Sequence, residues 1–208
     1  MIDENVIADV SGYYQRKLHE YGATPRGVDW NGEEGQTLRF DQLAKLFGAR
    51  DAYSLNDLGC GYGALLEYLT ARTPALSYLG ADISPAMIDA AQRRHQGNSR
   101  ARFVISCEPD RIADYSVASG IFNVRLHHSA SVWHEHVETT LDILDRTSRE
   151  GFAFNCLTSY SDEDKKRSDL FYADPCQLFD FCKRHFSRQV ALFHDYGLFE
   201  FTILVRKT

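Results

Sequence analysis

Between two apolar runs the chain reads Ser54-Leu55-Asn56-Asp57-Leu58-Gly59-Cys60-Gly61-Tyr62-Gly63-Ala64, and later Tyr78-Leu79-Gly80-Ala81-Asp82-Ile83-Ser84-Pro85. The order is strand, glycine turn, helix, strand, then an acidic residue at the strand's end. Glycine tolerates positive φ and lets a ligand come close to the backbone, so Gly59, Gly61 and Gly63 mark a tight turn shaped for a nucleotide-like molecule. Asp82 follows Gly63 by 19 residues, the separation at which a second parallel strand offers a carboxylate to a ribose. Such a chain is expected to bind an adenosine-containing ligand on a doubly wound sheet.

The rest of the sequence continues this alternation. Ile7, Val10, Tyr14, Leu18 and Tyr21 fall near helical spacing over residues 5–21, with Gly22 as the stop. A glycine-bearing loop over 22–35 precedes a helix carrying Phe40, Leu43, Ala44 and Phe47. Strands are expected at 54–58, 76–82, 102–106, 115–120 and 152–157. The helix after the glycine turn is expected to run to about Arg72. Ser84 and Pro85 start the next one, with a side-chain cap and a proline at the first helical position. Trp133, Val137, Leu141 and Leu144 share one face of a helix over 131–148, and Gly151 reads as its stop. Asp174-Pro175 starts a last helix through Phe186. Two strands around Tyr196-Gly197 then close a hairpin, which makes one strand antiparallel.

Composition bounds the class without deciding it. The 208 residues are 44% hydrophobic and 25% charged, and this is ordinary for one globular domain. A net charge of −6 makes a standing nucleic-acid partner unlikely on electrostatic grounds. Five cysteines without a C-x-x-C pair suit a reducing compartment. With no leader pattern and no apolar run near the ~18 residues of a membrane span, the expectation is a soluble, cytoplasmic chain with no membrane partner. The oligomeric state is unknown from sequence.

Asp57 discriminates among adenosine ligands. A dinucleotide lays a pyrophosphate over the turn, and two like charges ~4 Å apart cost about 1–4 kcal/mol. S-adenosylmethionine has no phosphate there and carries an ammonium and a sulfonium. The Asp57-x-Gly59-x-Gly61-x-Gly63 pattern resembles motif I of the class I S-adenosylmethionine-dependent methyltransferases, and Asp82 is similar to that family's ribose-binding residue. The resemblance covers residues 36–208. It implies an α/β fold with a seven-stranded, mostly parallel sheet in the order 3-2-1-4-5-7-6, strand 7 antiparallel and helices on both faces. Residues 1–35 are left as an N-terminal helical extension or lid.

The resemblance implies an enzyme with S-adenosylmethionine as cofactor and a small-molecule acceptor methylated on oxygen or nitrogen. The expected cofactor contacts are Asp57, Gly59, Cys60, Gly61, Gly63, Asp82, Ile83, Met87 and Ser119. Tyr14 and Arg39 join them, the one shielding a sulfonium and the other pairing the methionine carboxylate. Phe122, Asn123 and Trp30 are expected on the acceptor side. Nucleic-acid amino-methylating enzymes place prolines after such an asparagine; here Asn123-Val124 follows instead. Four histidines (His127, His128, His134, His136) fall within ten residues, and His127 or His128 is the candidate base. His134-Glu135-His136 lacks the i, i+4 spacing of a helical metal pair, so no metal is expected. A dinucleotide oxidoreductase and a non-catalytic ligand-binding protein remain as rival readings.

Overall fold

The computed structural model describes residues 3–207; residues 1, 2 and 208, at the ends of the two expected segments, lie outside it. Seven strands form one sheet: β1 (Ala52–Leu58), β2 (Ala75–Asp82), β3 (Ala101–Ile105), β4 (Ala113–Ala118), β5 (Ser148–Leu157), β6 (Gln189–Phe193) and β7 (Glu200–Arg206). Their order is β3-β2-β1-β4-β5-β7-β6. β7 pairs antiparallel with β5, from Gly151 opposite Arg206 to Leu157 opposite Glu200, and with β6; the other pairs are parallel. Both the expected order and the antiparallel strand are present.

Helices α1 (Glu4–Tyr21), α2 (Glu33–Ala44), α3 (Ala64–Thr70), α4 (Pro85–Arg94), α5 (Ala130–Arg146) and α6 (Pro175–His185) cover both faces. Phe40 and Leu43 of α2, Leu66 and Leu69 of α3 and Ile88 of α4 pack with Leu55 and Tyr78 on one side. On the other, Val6 and Val10 of α1 and the Trp133, Val137, Leu141, Leu144 row of α5 pack on Phe152, Phe154 and Phe201. The apolar rows at helical spacing bury themselves because the sheet is apolar on both faces.

Helix starts follow the local chemistry. Ser84 Oγ accepts from Met87 N, Ser129 Oγ from Val132 N, and Asp174 Oδ1 from Cys176 N and Gln177 N, each satisfying an orphan first-turn amide. Gly22 closes α1 at φ +68°, its N–H donating to Leu18 O.

Several boundaries differ from expectation: β1 and β4 each begin two residues earlier, β4 ends at Ala118, and α2 ends at Ala44, short of Phe47; two further differences have a local cause. α3 ends at Thr70 because Thr73-Pro74 must turn the chain into β2. Gly151 does not stop α5; it lies inside β5, which begins at Ser148. Its need for glycine comes from a neighbour strand, since a Cβ there lies 2.3 Å from Val205 O of β7. No helix among the described residues is long and apolar enough to cross a membrane.

The β4–α5 connection is held from below by α5. Trp133 is fully buried and its Nε1 donates to Phe122 O at 2.9 Å. Trp133→Phe leaves that carbonyl unpaired and a void beside it. Chemical denaturation is expected to show a loss of about 2–4 kcal/mol with an unchanged slope.

Candidate active site

Strand order reverses between β1 and β4, and a cleft opens at their C-terminal ends, where ligands bind in open α/β sheets. It holds about 1010 Å³ of non-atom space, open solvent at its mouth included.

The glycine turn makes the floor. Asp82, 8% exposed at the end of β2, accepts from Gly61 N at 2.9 Å through Oδ2 and from Ser84 N at 2.8 Å through Oδ1. One carboxylate thereby fixes the turn and the entry to α4, with a lone pair left on each oxygen. Gly59 sits at φ +76°, and a Cβ there lies 2.1 Å from Ile121 Cγ2, so only glycine lets the segment after β4 close on the turn. Gly63, at φ +82°, leaves room for the His95 ring, whose Nε2 is 2.9 Å from Gly63 O. Cys60 lines the cleft near Gly80, and burial pushes its thiol up.

Asp57 is buried at the end of β1 and accepts from the Tyr78 hydroxyl at 2.5 Å. Burial pushes its carboxyl up to about 7; Tyr78 holds it down and the neighbouring Asp82 adds to the rise. Burial likewise raises Asp82, against the Ser84 and Gly61 amides. Two buried carboxylates, with neither Lys nor Arg among the described lining residues, make the floor favour a cation.

The roof comes from the N-terminal segment. Val6, Ile7, Val10 and Tyr14 of α1 and Val28 and Trp30 of the following loop line the cleft. Ser11 Oγ donates to Ile83 O at 3.2 Å, seating α1 on the end of β2. Asp29, at φ +61°, binds Tyr13 Oη at 2.6 Å and Lys17 Nζ at 2.7 Å and so fastens the loop to α1.

Of the expected contacts, Asp57, Gly59, Cys60, Gly61, Asp82, Ile83, Met87, Ser119, Tyr14 and Trp30 line the cleft together, while Gly63 stands just behind the turn. Others lie elsewhere. Arg39 makes a bidentate pair with Glu200 of β7, at 2.7 and 2.5 Å, and donates to Gly35 O; its guanidinium stacks 4.7 Å from the Trp30 ring. It braces Trp30 from outside the cleft, with its charge already matched. Phe122 is fully buried, edge-on to Phe154, because the β4–α5 turn points it into the core. Asn123 Oδ1 accepts from Leu157 N at 3.1 Å and its carbonyl from Phe171 N, so it ties the turn to β5. His127 and His128 are not among the cleft's lining residues; both face Asp9 on α1.

Three lining or supporting residues escaped the sequence reading. His136 of α5 lines the cleft; its Nδ1 is buried without a hydrogen-bond partner, and burial lowers its imidazole to about 4, aided by nearby His128. Gln36 lines it beside the Tyr62 hydroxyl. Asn155, fully buried in β5, accepts from Gly120 N at 2.7 Å and donates to Ser119 Oγ, fixing the floor beneath Trp30. A lone polar side chain within Phe152-Ala153-Phe154-Asn155-Cys156 was its only sequence signal.

A sequence model described as a methyltransferase domain matches residues 56–149. A protein of Mycobacterium tuberculosis (strain ATCC 25618 / H37Rv), whose name assigns it to the methyltransferases without naming an acceptor, is 60% identical over 163 residues, 78% of this chain and 98% of that protein. The chain belongs to the class I S-adenosylmethionine-dependent methyltransferases. It is also similar to the trans-aconitate 2-methyltransferase of Methylobacterium nodulans (strain LMG 21967 / CNCM I-2342 / ORS 2060), at 37% identity over 50% of this chain and 43% of that protein. Among solved structures it resembles the magnesium protoporphyrin IX methyltransferase of Synechocystis PCC 6803 with bound S-adenosylhomocysteine, with TM-score 0.68 at 13% identity over 99% of this chain and 100% of that one. Two buried carboxylates, with neither Lys nor Arg among the described lining residues, suit a ligand that carries hydroxyls and positive charge, as this family's cofactor does.

Asp57 gives this methyltransferase a pH signature. A cation bound beside the carboxyl favours its ionised form, so binding releases a proton below pH 7 and affinity falls as pH falls. S-adenosylhomocysteine is expected to bind about tenfold more weakly at pH 6 than at pH 8 in isothermal titration, for one carboxyl titrating near 7. Asp57→Asn flattens that profile and weakens binding at pH 8 by about tenfold or more.

Proposed function

We propose that this chain transfers the methyl group of S-adenosylmethionine to an oxygen or nitrogen of a small, uncharged, largely apolar acceptor. The observation that carries the acceptor class is the lining: among the described residues it holds Ile7, Val10, Trp30 and Ile121 but neither Lys nor Arg. A carboxylate acceptor entering here loses hydration and finds neither Lys nor Arg among the described lining residues to pair with. This separates the chain from a reading based on its likeness to the trans-aconitate enzyme, whose acceptor is a polyanion.

When bound, the cofactor supplies an electrophilic methyl carbon and a neutral thioether leaving group. The chain's own residues orient and desolvate. α1 and Trp30 cover the cleft against water, and Asp82 and Asp57 hold the two ends of the cofactor. His136 lines the cleft, which His127 and His128 do not, and as a neutral imidazole it is the group on this chain that can accept the acceptor's hydroxyl hydrogen bond. Methylating a neutral oxygen makes it strongly acidic, so even a base of pKa about 4 takes its proton as the C–O bond forms.

The test is a methyl-transfer assay pairing neutral phenols and alcohols against di- and tricarboxylates, with S-adenosylhomocysteine as the measured product. Turnover confined to the neutral class is the expected outcome, with His136→Ala lowering kcat about 10²-fold or more while cofactor affinity holds within about twofold. Faster turnover of carboxylates overturns the acceptor class, and undiminished kcat in the variant overturns the role of His136. Binding of NAD(H) or NADP(H) in preference to S-adenosylhomocysteine restores the oxidoreductase reading.

A further inference from the structure

Outside the cleft, α1 and the β4–α5 turn meet again through a second polar group. Asp9 stands on α1 three residues past Val6 and one before Val10, both of which line the cleft. Its Oδ2 lies 3.1 Å from His128 Nε2 and 3.6 Å from His127 Nε2. The two imidazoles are stacked, with centroids 4.6 Å apart and planes 27° from parallel, so both Nε2 atoms reach the same carboxylate.

The three ligand atoms lie within 4.8 Å of one another. Metal–ligand bonds of ~2.0–2.1 Å in a tetrahedral site set ligand atoms about 3.3–3.4 Å apart, and the two distances to Asp9 bracket that edge. A second observation points to a missing ligand. The His128 side chain is nine-tenths buried, and its Nε2 is screened from solvent yet makes no aligned hydrogen bond despite its closeness to Asp9. Buried ring nitrogens are normally satisfied, and this one lies within 4.8 Å of both other ligand atoms.

We propose that Asp9, His127 and His128 form a binding site for one divalent transition-metal ion of the zinc class, which pins α1 to the β4–α5 turn. Two imidazoles and a carboxylate suit zinc and its borderline neighbours, whereas magnesium and calcium favour oxygen ligands. Asp9 and His127 are 41% and 76% exposed, so water completes the coordination and the ion has an entry path. The ion is a clamp, not a reagent: the site lies outside the cleft lining and joins the helix that roofs the cleft to the turn that walls it. Asp9 and the histidine pair are 118 residues apart in sequence, so no local spacing announces the site. The spacing that speaks against a metal is that of His134-Glu135-His136 and does not bear on this trio.

The test uses the full chain freed of metal with a chelator, then titrated with zinc chloride against a chromophoric competitor. The expected result is uptake of one equivalent, weakened at least tenfold in Asp9→Asn and in His127→Ala. Both variants are expected to keep the parent's melting temperature in chelator, since both positions are surface-accessible. Cobalt(II) in place of zinc is expected to give a visible absorption band that Asp9→Asn removes. Hydrogen exchange is expected to slow in α1 on zinc addition to the parent and not to Asp9→Asn. Absence of saturable uptake, or uptake equal in all three proteins, as when the exposed Cys176 takes the ion, overturns the site. Uptake without slower exchange in α1 overturns the clamp.

Discussion

The Asp82 carboxylate is the constraint on which the rest of the site depends. Its two oxygens each accept one backbone amide, from Gly61 in the turn after β1 and from Ser84 at the start of α4. Neither amide has a strand or helix partner at that point, so the carboxylate replaces a ladder that has run out. The end of one strand therefore sets the shape of the turn following its neighbour. Because the same group retains acceptor capacity toward the cleft, ligand recognition and local folding share one side chain.

The remaining walls are built by segments that approach the turn from three directions. Ile121 closes over Gly59, Trp30 lies over Gly120 with a would-be Cβ 3.0 Å from its ring, and α1 seats on Ile83. Each contact exists because one partner lacks a side chain or offers a bare carbonyl. Among the polar groups that line the cleft, burial perturbs the titration of Asp57, Asp82 and His136, and also of Tyr14, Cys60 and Tyr62.

The fold was legible in the sequence to a high degree, because it is written in local signals: glycine turns, capped helix starts, and apolar runs with the period of a strand or helix. The glycine-turn side of the cleft was legible for the same reason, since Asp57 to Gly63 and Asp82 are brought together by a single β-α-β unit. The side beyond β4 was not. Phe122 and Asn123 look like site residues from their place after β4, yet the turn there folds inward and commits both to the core and to β5. Arg39 reads as a free cation until β7, far away in sequence, delivers Glu200 beside it. His136 could be told from its neighbours only by which face of α5 meets the cleft, and that depends on packing against Trp133, whose ring is 4.8 Å away.

The Arg39–Glu200 pair has a consequence for how sequences of this kind can change. Glu200 is 2% and Arg39 12% exposed, so losing either alone strands a charge in the interior, a cost of about 3–5 kcal/mol, whereas replacing both together with apolar groups is often neutral. Arg39 also rests on Trp30, a wall of the cleft. The two positions are therefore bound into one inherited unit: drift at the far edge of the sheet must be matched on α2, and when the pair does change, the Trp30 wall of the cleft moves with it.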